Sequence, residues 1–194
     1  MANRLGHCLH RMYYPVLTAG NVAFEGILRV GAVDATLVGL RVSAVGVHET
    51  ERAFKKLEVA LLLLERADRP SFERLKVAVS RIVIGPIRHK LHALFVLRSK
   101  NCYINGDRIL SFSEVDIAVL LVHELTHARI EHAGVTHSPD RRMRIERRCV
   151  LQEIAFAQRL QASGICDMDQ WIEHRVRNSL ALAAGAEPLA LRRE

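Results

Sequence analysis

The sequence predicts an α+β fold in which helices predominate over a small mixed or antiparallel sheet. Five stretches read as helices from their apolar spacing and end signals. Short β-branched or turn-bounded runs lie between the second and third of them. The third helix is apolar on nearly every side, so it should be buried beneath the sheet.

Thr50 can cap the first helix, in which Phe54, Leu57, Leu61 and Leu64 recur at helical spacing to about Asp68. Pro70-Ser71 breaks it. A second helix is expected from Ser71 to Ser80, with Phe72, Leu75, Val77 and Val79 partly buried. Arg81–Ile84 is β-branched and stops at Gly85-Pro86, which reads as a strand; Ala93–Leu97 reads as another. Cys102–Leu110 contains Asn105-Gly106, a strong turn signal, and reads as a hairpin or bulged strand. Ser113 is placed to cap the third helix with Asp116 three residues on, and Gly134 to end it. Ser138-Pro139 opens a fourth helix to about Ala162. Asp167 can cap a fifth, from about Met168 to Ala184.

The chain has 194 residues, 49% of them hydrophobic, enough for one cored domain with an additional segment. Its net charge of +7 permits an acidic partner, but Lys and Arg are spread along most of the chain and form no low-complexity tail. Nucleic acid is therefore not expected as a partner. Cys8, Cys102, Cys149 and Cys166 form no C-x-x-C pair, so they read as reduced thiols of a cytosolic protein and not as a thiolate metal site. Met1–Tyr14 carries Arg4, His7, His10 and Arg11 before any apolar run, unlike a secretory signal. The most apolar stretch, Val22–Val47, is interrupted by Glu25, Arg29, Asp34 and Arg41 and leaves no transmembrane span. A soluble, cytoplasmic protein is expected, with membrane-surface contact by residues 22–47 left open. Residues 1–48, rich in Val and Gly, read as an N-terminal extension of unassigned role, and residues 186–194 as a tail.

The chemistry lies in the third helix, at His123-Glu124-Leu125-Thr126-His127. Residues four apart on a helix are about 40° apart round its axis, so both imidazoles can reach one metal ion. Glu124 projects about 100° from His123, near enough to touch a metal-bound water without binding the metal. Two nitrogen ligands, an open position and a carboxylate base are what a zinc hydrolase needs. A polar set within a buried helix is also costly unless something satisfies it, which a metal would do.

A third ligand must come from elsewhere. Glu146 and Glu153 lie on nearly one face of the next helix with Cys149 between them, but about 10 Å apart in rise, so one ion cannot readily bind both. The spacing from His123-Glu124-x-x-His127 to a helical Glu146 resembles the gluzincin branch of the zincin metallopeptidases. The resemblance covers roughly Leu94 to Leu160. It implies a zincin-like metal-binding domain over residues 49–185, with Zn2+ held by His123, His127 and Glu146. Glu124 would be the general base that activates a metal-bound water. Many gluzincins carry an Asp four residues after the ligand Glu that orients a metal-binding His. Val150 stands there instead, which keeps Glu153 open as the alternative third ligand.

The resemblance also implies an edge strand that pairs with an extended peptide substrate, supplied by Ala93–Leu97 or Cys102–Leu110. Tyr103, His137 and Arg142 are candidates to stabilise a transition state or contact substrate. His89, His92, His132 and Glu131 read as surface groups. Arg141, Arg142, Arg144, Arg147 and Arg148 read as a solvated helix face. The expected function is that of a zinc metallopeptidase. The alternatives are a non-catalytic zinc-stabilised protein-interaction module and, behind it, a basic nucleic-acid-associated protein. Substrate identity and oligomeric state are not legible in the sequence.

Overall fold

A computed structural model describes residues 32–87, 91–135 and 138–183. Helices pack against a five-stranded mixed sheet of order β1-β2-β3-β5-β4, the α+β class expected. β1 (Val33–Leu37) and β2 (Leu40–Ala44) meet at Val38-Gly39. Both turn residues have positive φ, 47° and 80°, the type I′ geometry whose twist suits a two-residue hairpin. Gly39 adopts it freely, whereas the β-branched Val38 is strained there.

β2 runs parallel to β3 (Arg81–Gly85), with Val42 opposite Ile82 and Ala44 opposite Ile84. Parallel neighbours cannot be joined by a tight turn. Two helices, α1 (Thr50–Ala67) and α2 (Arg69–Ala78), occupy the crossover. Residues 33–44 therefore belong to the sheet, whereas the sequence assigned them to an extension ending at residue 48. Their partner strand lies some 40 residues on, so no local pattern marks the pairing.

The two crossover helices meet at Asp68, which caps α2 by accepting from the Ser71 N–H at 3.2 Å. It also accepts from Arg159 at 2.5 Å. Pro70 thus sits within the first turn of α2 instead of breaking the chain before it. Thr50 does not cap α1: Glu49 holds that position, and the Thr50 hydroxyl donates to the Val47 carbonyl at 2.9 Å.

β3 is parallel to β5 (Asn101–Asn105), and β5 is antiparallel to β4 (Ala93–Val96), the edge strand. The Asn105-Gly106 pair does not turn a hairpin. The Asn105 side chain accepts from the N–H groups of Asp107 and Arg108 and caps a short helix, α3 (Gly106–Ser111). An Asn favours both sites for one reason: its side-chain oxygen satisfies backbone N–H groups two or three residues on.

α4 (Glu114–His132) starts with the expected capping box. The Ser113 hydroxyl accepts from the Asp116 N–H, and the Asp116 carboxylate accepts from the Ser113 N–H, both at 3.1 Å. Ile117, Leu121 and Leu125 of α4 pack in the same buried cluster as Ile82, Ile84 and Ile104 of the sheet. α5 (Pro139–Ala162) adds Phe156, Ala157 and Leu160 to that core, and α6 (Asp169–Ala183) packs Trp171 and Ile172 against it. Among the described residues, no helix is long and apolar enough to cross a membrane.

Candidate metal centre

α4 carries the motif in its second half, where the helix lies between the sheet edge and α5. His123 and His127 stand one turn apart with Nε2 atoms 3.0 Å from each other. Both imidazoles are largely enclosed, 19% and 13% exposed. α5 brings Glu146 to the same point. Its Oε2 lies 3.6 Å from His123 Nε2 and its Oε1 3.8 Å from His127 Nε2.

Glu153 meets a different atom. Its Oε1 lies 2.5 Å from His123 Nδ1, and its Oε2 lies 2.9 Å from Arg175 Nη2 on α6. The two glutamates therefore flank one imidazole ring, each at its own nitrogen. The rise of about 10 Å between residues seven apart makes that possible. Glu146 faces the paired Nε2 atoms, and Glu153 grips the far side of His123. The expected alternative, Glu153 as third ligand, does not fit this arrangement.

The donor set suits a small tetrahedral ion. Bonds of about 2.0–2.2 Å to nitrogen and oxygen put the donors of such an ion roughly 3.3 Å apart. The imidazole pair, 3.0 Å apart, is near that value, and Glu146 turns a different oxygen to each ring, Oε2 at 3.6 Å from His123 and Oε1 at 3.8 Å from His127. Cys149, fully buried one helical turn after Glu146, also approaches. One donor atom each from His123, His127 and Cys149 lie within 4.8 Å of one another. Two donor sets thus share the histidine pair. Of the two third donors, the Cys149 thiol is the poorer. Burial, then the charges of Glu146, Glu124 and Glu153, push the Cys149 thiol well up and oppose its ionisation.

Glu124 is buried, and its Oε2 accepts from the Phe95 N–H of β4 at 2.8 Å. Burial raises its pKa; His123 and the Phe95 N–H pull it down; Glu146 and Glu153 raise it again, leaving it at about 7. For His123, burial lowers the pKa. The hydrogen bond to Glu153 and the charges of Glu124, Glu153 and Glu146 outweigh it, giving about 9.

The remaining candidates separate. Tyr103 does not join the centre. Side chains alternate along β5; Cys102 and Ile104 face the core containing α4 and Tyr103 does not, while its hydroxyl accepts from Asn101 at 3.3 Å. Arg142 is exposed one turn before Glu146 on the same side of α5. His137 and His89 lie outside the described residues. His132 Nδ1 is 2.6 Å from the Ala128 carbonyl, at the solvated end of α4. All five arginines between 141 and 148 are exposed, as a solvated face requires.

Two participants had no sequence signal, Arg175 and the Phe95 N–H, because contacts across tertiary structure set both. Cys149 had one: it lies between Glu146 and Glu153 on the same face of α5. Comparison with protein-family models, with curated proteins and with solved structures gives no match to this chain.

Proposed function

We propose that this protein is a zinc-dependent hydrolase of the gluzincin type, acting on peptide bonds. One observation carries the reading. The Nε2 atoms of His123 and His127 lie 3.0 Å apart with one oxygen of the Glu146 carboxylate toward each, beside the buried side chain of Glu124. When bound, a zinc ion supplies Lewis acidity to a substrate carbonyl and acidifies water.

The chain's own residues supply the rest. A buried carboxyl group beside the imidazole pair can serve both halves of proton transfer, taking a proton from attacking water and returning it to a leaving amine. The Phe95 N–H fixes one oxygen of Glu124 and ties the base to β4. β4 is the sheet edge on which an extended peptide would pair. Enclosure by α4, α5 and β4 reduces screening and strengthens every charge interaction there.

The test is metal content together with Glu124→Gln. Protein prepared without chelators should carry close to one zinc. The variant should retain zinc and lose hydrolysis of a peptide library. Absence of zinc, or undiminished cleavage by Glu124→Gln, refutes the proposal.

Cys149 favours a second reading, a zinc-stabilised protein-interaction module. A fourth protein donor would close the position that water needs. Cobalt substitution separates the two: a thiolate-to-cobalt charge-transfer band that Cys149→Ser abolishes supports the closed site, and its absence supports the hydrolase.

A further inference from the structure

We infer that Arg175 is a positioning residue for the metal centre: it fixes Glu153, and Glu153 fixes the imidazole of His123. The inference rests on the metal-binding reading above and adds to it a control point on α6, remote in sequence from the motif.

Glu153 is 2% exposed, so its carboxylate has almost no water to solvate it. A charge in that position is costly unless it is paired. Its two oxygens have separate partners. Oε1 engages His123 Nδ1 at 2.5 Å, and Oε2 lies 2.9 Å from the Arg175 guanidinium as an ion pair, without the alignment of a hydrogen bond. The guanidinium is itself restrained, lying 5.2 Å from the centre of the Trp171 ring one turn earlier on α6. Arg175 thus stands between an aromatic face and a buried carboxylate.

The consequence falls on His123. A histidine can present either nitrogen to a metal, and the hydrogen bond at the other nitrogen decides which. With Nδ1–H donating to Glu153, the lone pair of Nε2 is directed toward His127 and Glu146. Carboxylates in this role raise the basicity of the ligand and hold its ring plane. Without Arg175, Glu153 would lose the cation held against its Oε2, and with it the charge that keeps this buried group turned between α6 and His123. Glu153 therefore takes over, from seven residues after Glu146, the support that Val150 cannot give. Arg175 completes it from another helix.

The experiment is zinc affinity by chelator competition for the full chain, with Arg175→Met, Arg175→Lys, Glu153→Gln and the Arg175→Met/Glu153→Gln double variant. Visible spectra of the cobalt-substituted forms accompany it. Arg175→Met should weaken zinc binding about 10–100-fold, and Glu153→Gln comparably. Arg175→Lys should recover part of the loss, and the double variant should be no weaker than the worse single one. The cobalt d–d bands should shift in Arg175→Met and return toward wild type in Arg175→Lys.

Wild-type affinity and spectrum in Arg175→Met, or strictly additive losses in the double variant, overturn the inference and leave the metal reading intact. If Arg175→Met does not fold, Glu153→Gln decides, since unchanged affinity there breaks the link just as surely. A wild-type chain that binds no zinc overturns the metal reading itself.

Discussion

Raising the pH should destabilise the metal-free protein across a range where most proteins change little. Two groups drive the effect. The imidazole of His123 titrates at about 9 in the fold against an ordinary 6.5. Its raised value contributes stability that is complete below about 6.5 and is lost as the pH passes through 9. Glu124, raised from 4.5 to about 7, has the same sign: its contribution is complete below 4.5 and gone once the pH passes 7. At about 1.4 kcal/mol per pH unit, the His123 shift alone corresponds to roughly 3 kcal/mol. The two groups influence each other, so their effects do not simply add, and about 3 kcal/mol is the scale to expect between pH 6 and 9. The assay is urea unfolding with chelator present throughout. With a slope of about 2 kcal/mol per molar, the midpoint should fall by roughly 1.5 M over that range. His123→Gln should flatten the trend. Saturating zinc should reverse it, because the ion displaces the proton from Nε2 and its affinity rises with pH. A metal-free midpoint that holds steady or rises from pH 6 to 9 refutes the reasoning, as does an unchanged slope in His123→Gln.

Glu124→Gln should lower the rate of peptide hydrolysis by about 10²–10⁴-fold with zinc content unchanged, read by turnover and elemental analysis of the same preparation. Glu146→Ala should impair zinc retention more than Glu153→Gln does, because one removes a donor and the other a support; competition with a chromogenic chelator ranks them. Ser113→Ala removes one half of the capping box and should cost about 1 kcal/mol in urea unfolding, with Ser113→Thr restoring most of it. Val38→Asn should stabilise the β1–β2 hairpin by up to about 1 kcal/mol by relieving a β-branched residue at positive φ; a lowered thermal midpoint would show that Val38 packing outweighs the strain.

The parts of this fold that were legible in the sequence are those set by neighbours along the chain. Ser113 and Asp116 are three residues apart, and their reciprocal bonds follow from that spacing. His123 and His127 face one way because a helix turn is 3.6 residues. Asn105-Gly106 was ambiguous for a local reason, since one side-chain geometry serves a hairpin turn and a helix cap equally. What could not be read depends on distance in sequence. β2 finds its place only by pairing with β3 across two helices. The role of Glu153 was hidden because its deciding partner, Arg175, sits 22 residues later on another helix. The spacing of Glu146 and Glu153 shows that one point cannot take both; which of them faces the paired Nε2 atoms depended on how α5 crosses α4.

The bond between Glu124 and the Phe95 N–H also has a protective consequence. β4 is a short edge strand, and an edge strand with unsatisfied N–H groups is a template for association with another chain. The carboxylate of Glu124 occupies one such group from within the fold. Replacing Glu124 by Ala would leave that N–H bare on an edge that includes the half-exposed Leu94 and Val96. Replacing it by Gln keeps an oxygen to accept the bond. The Ala variant should therefore self-associate more than the Gln variant at equal concentration, and loss of activity in Ala would mix two effects that Gln separates.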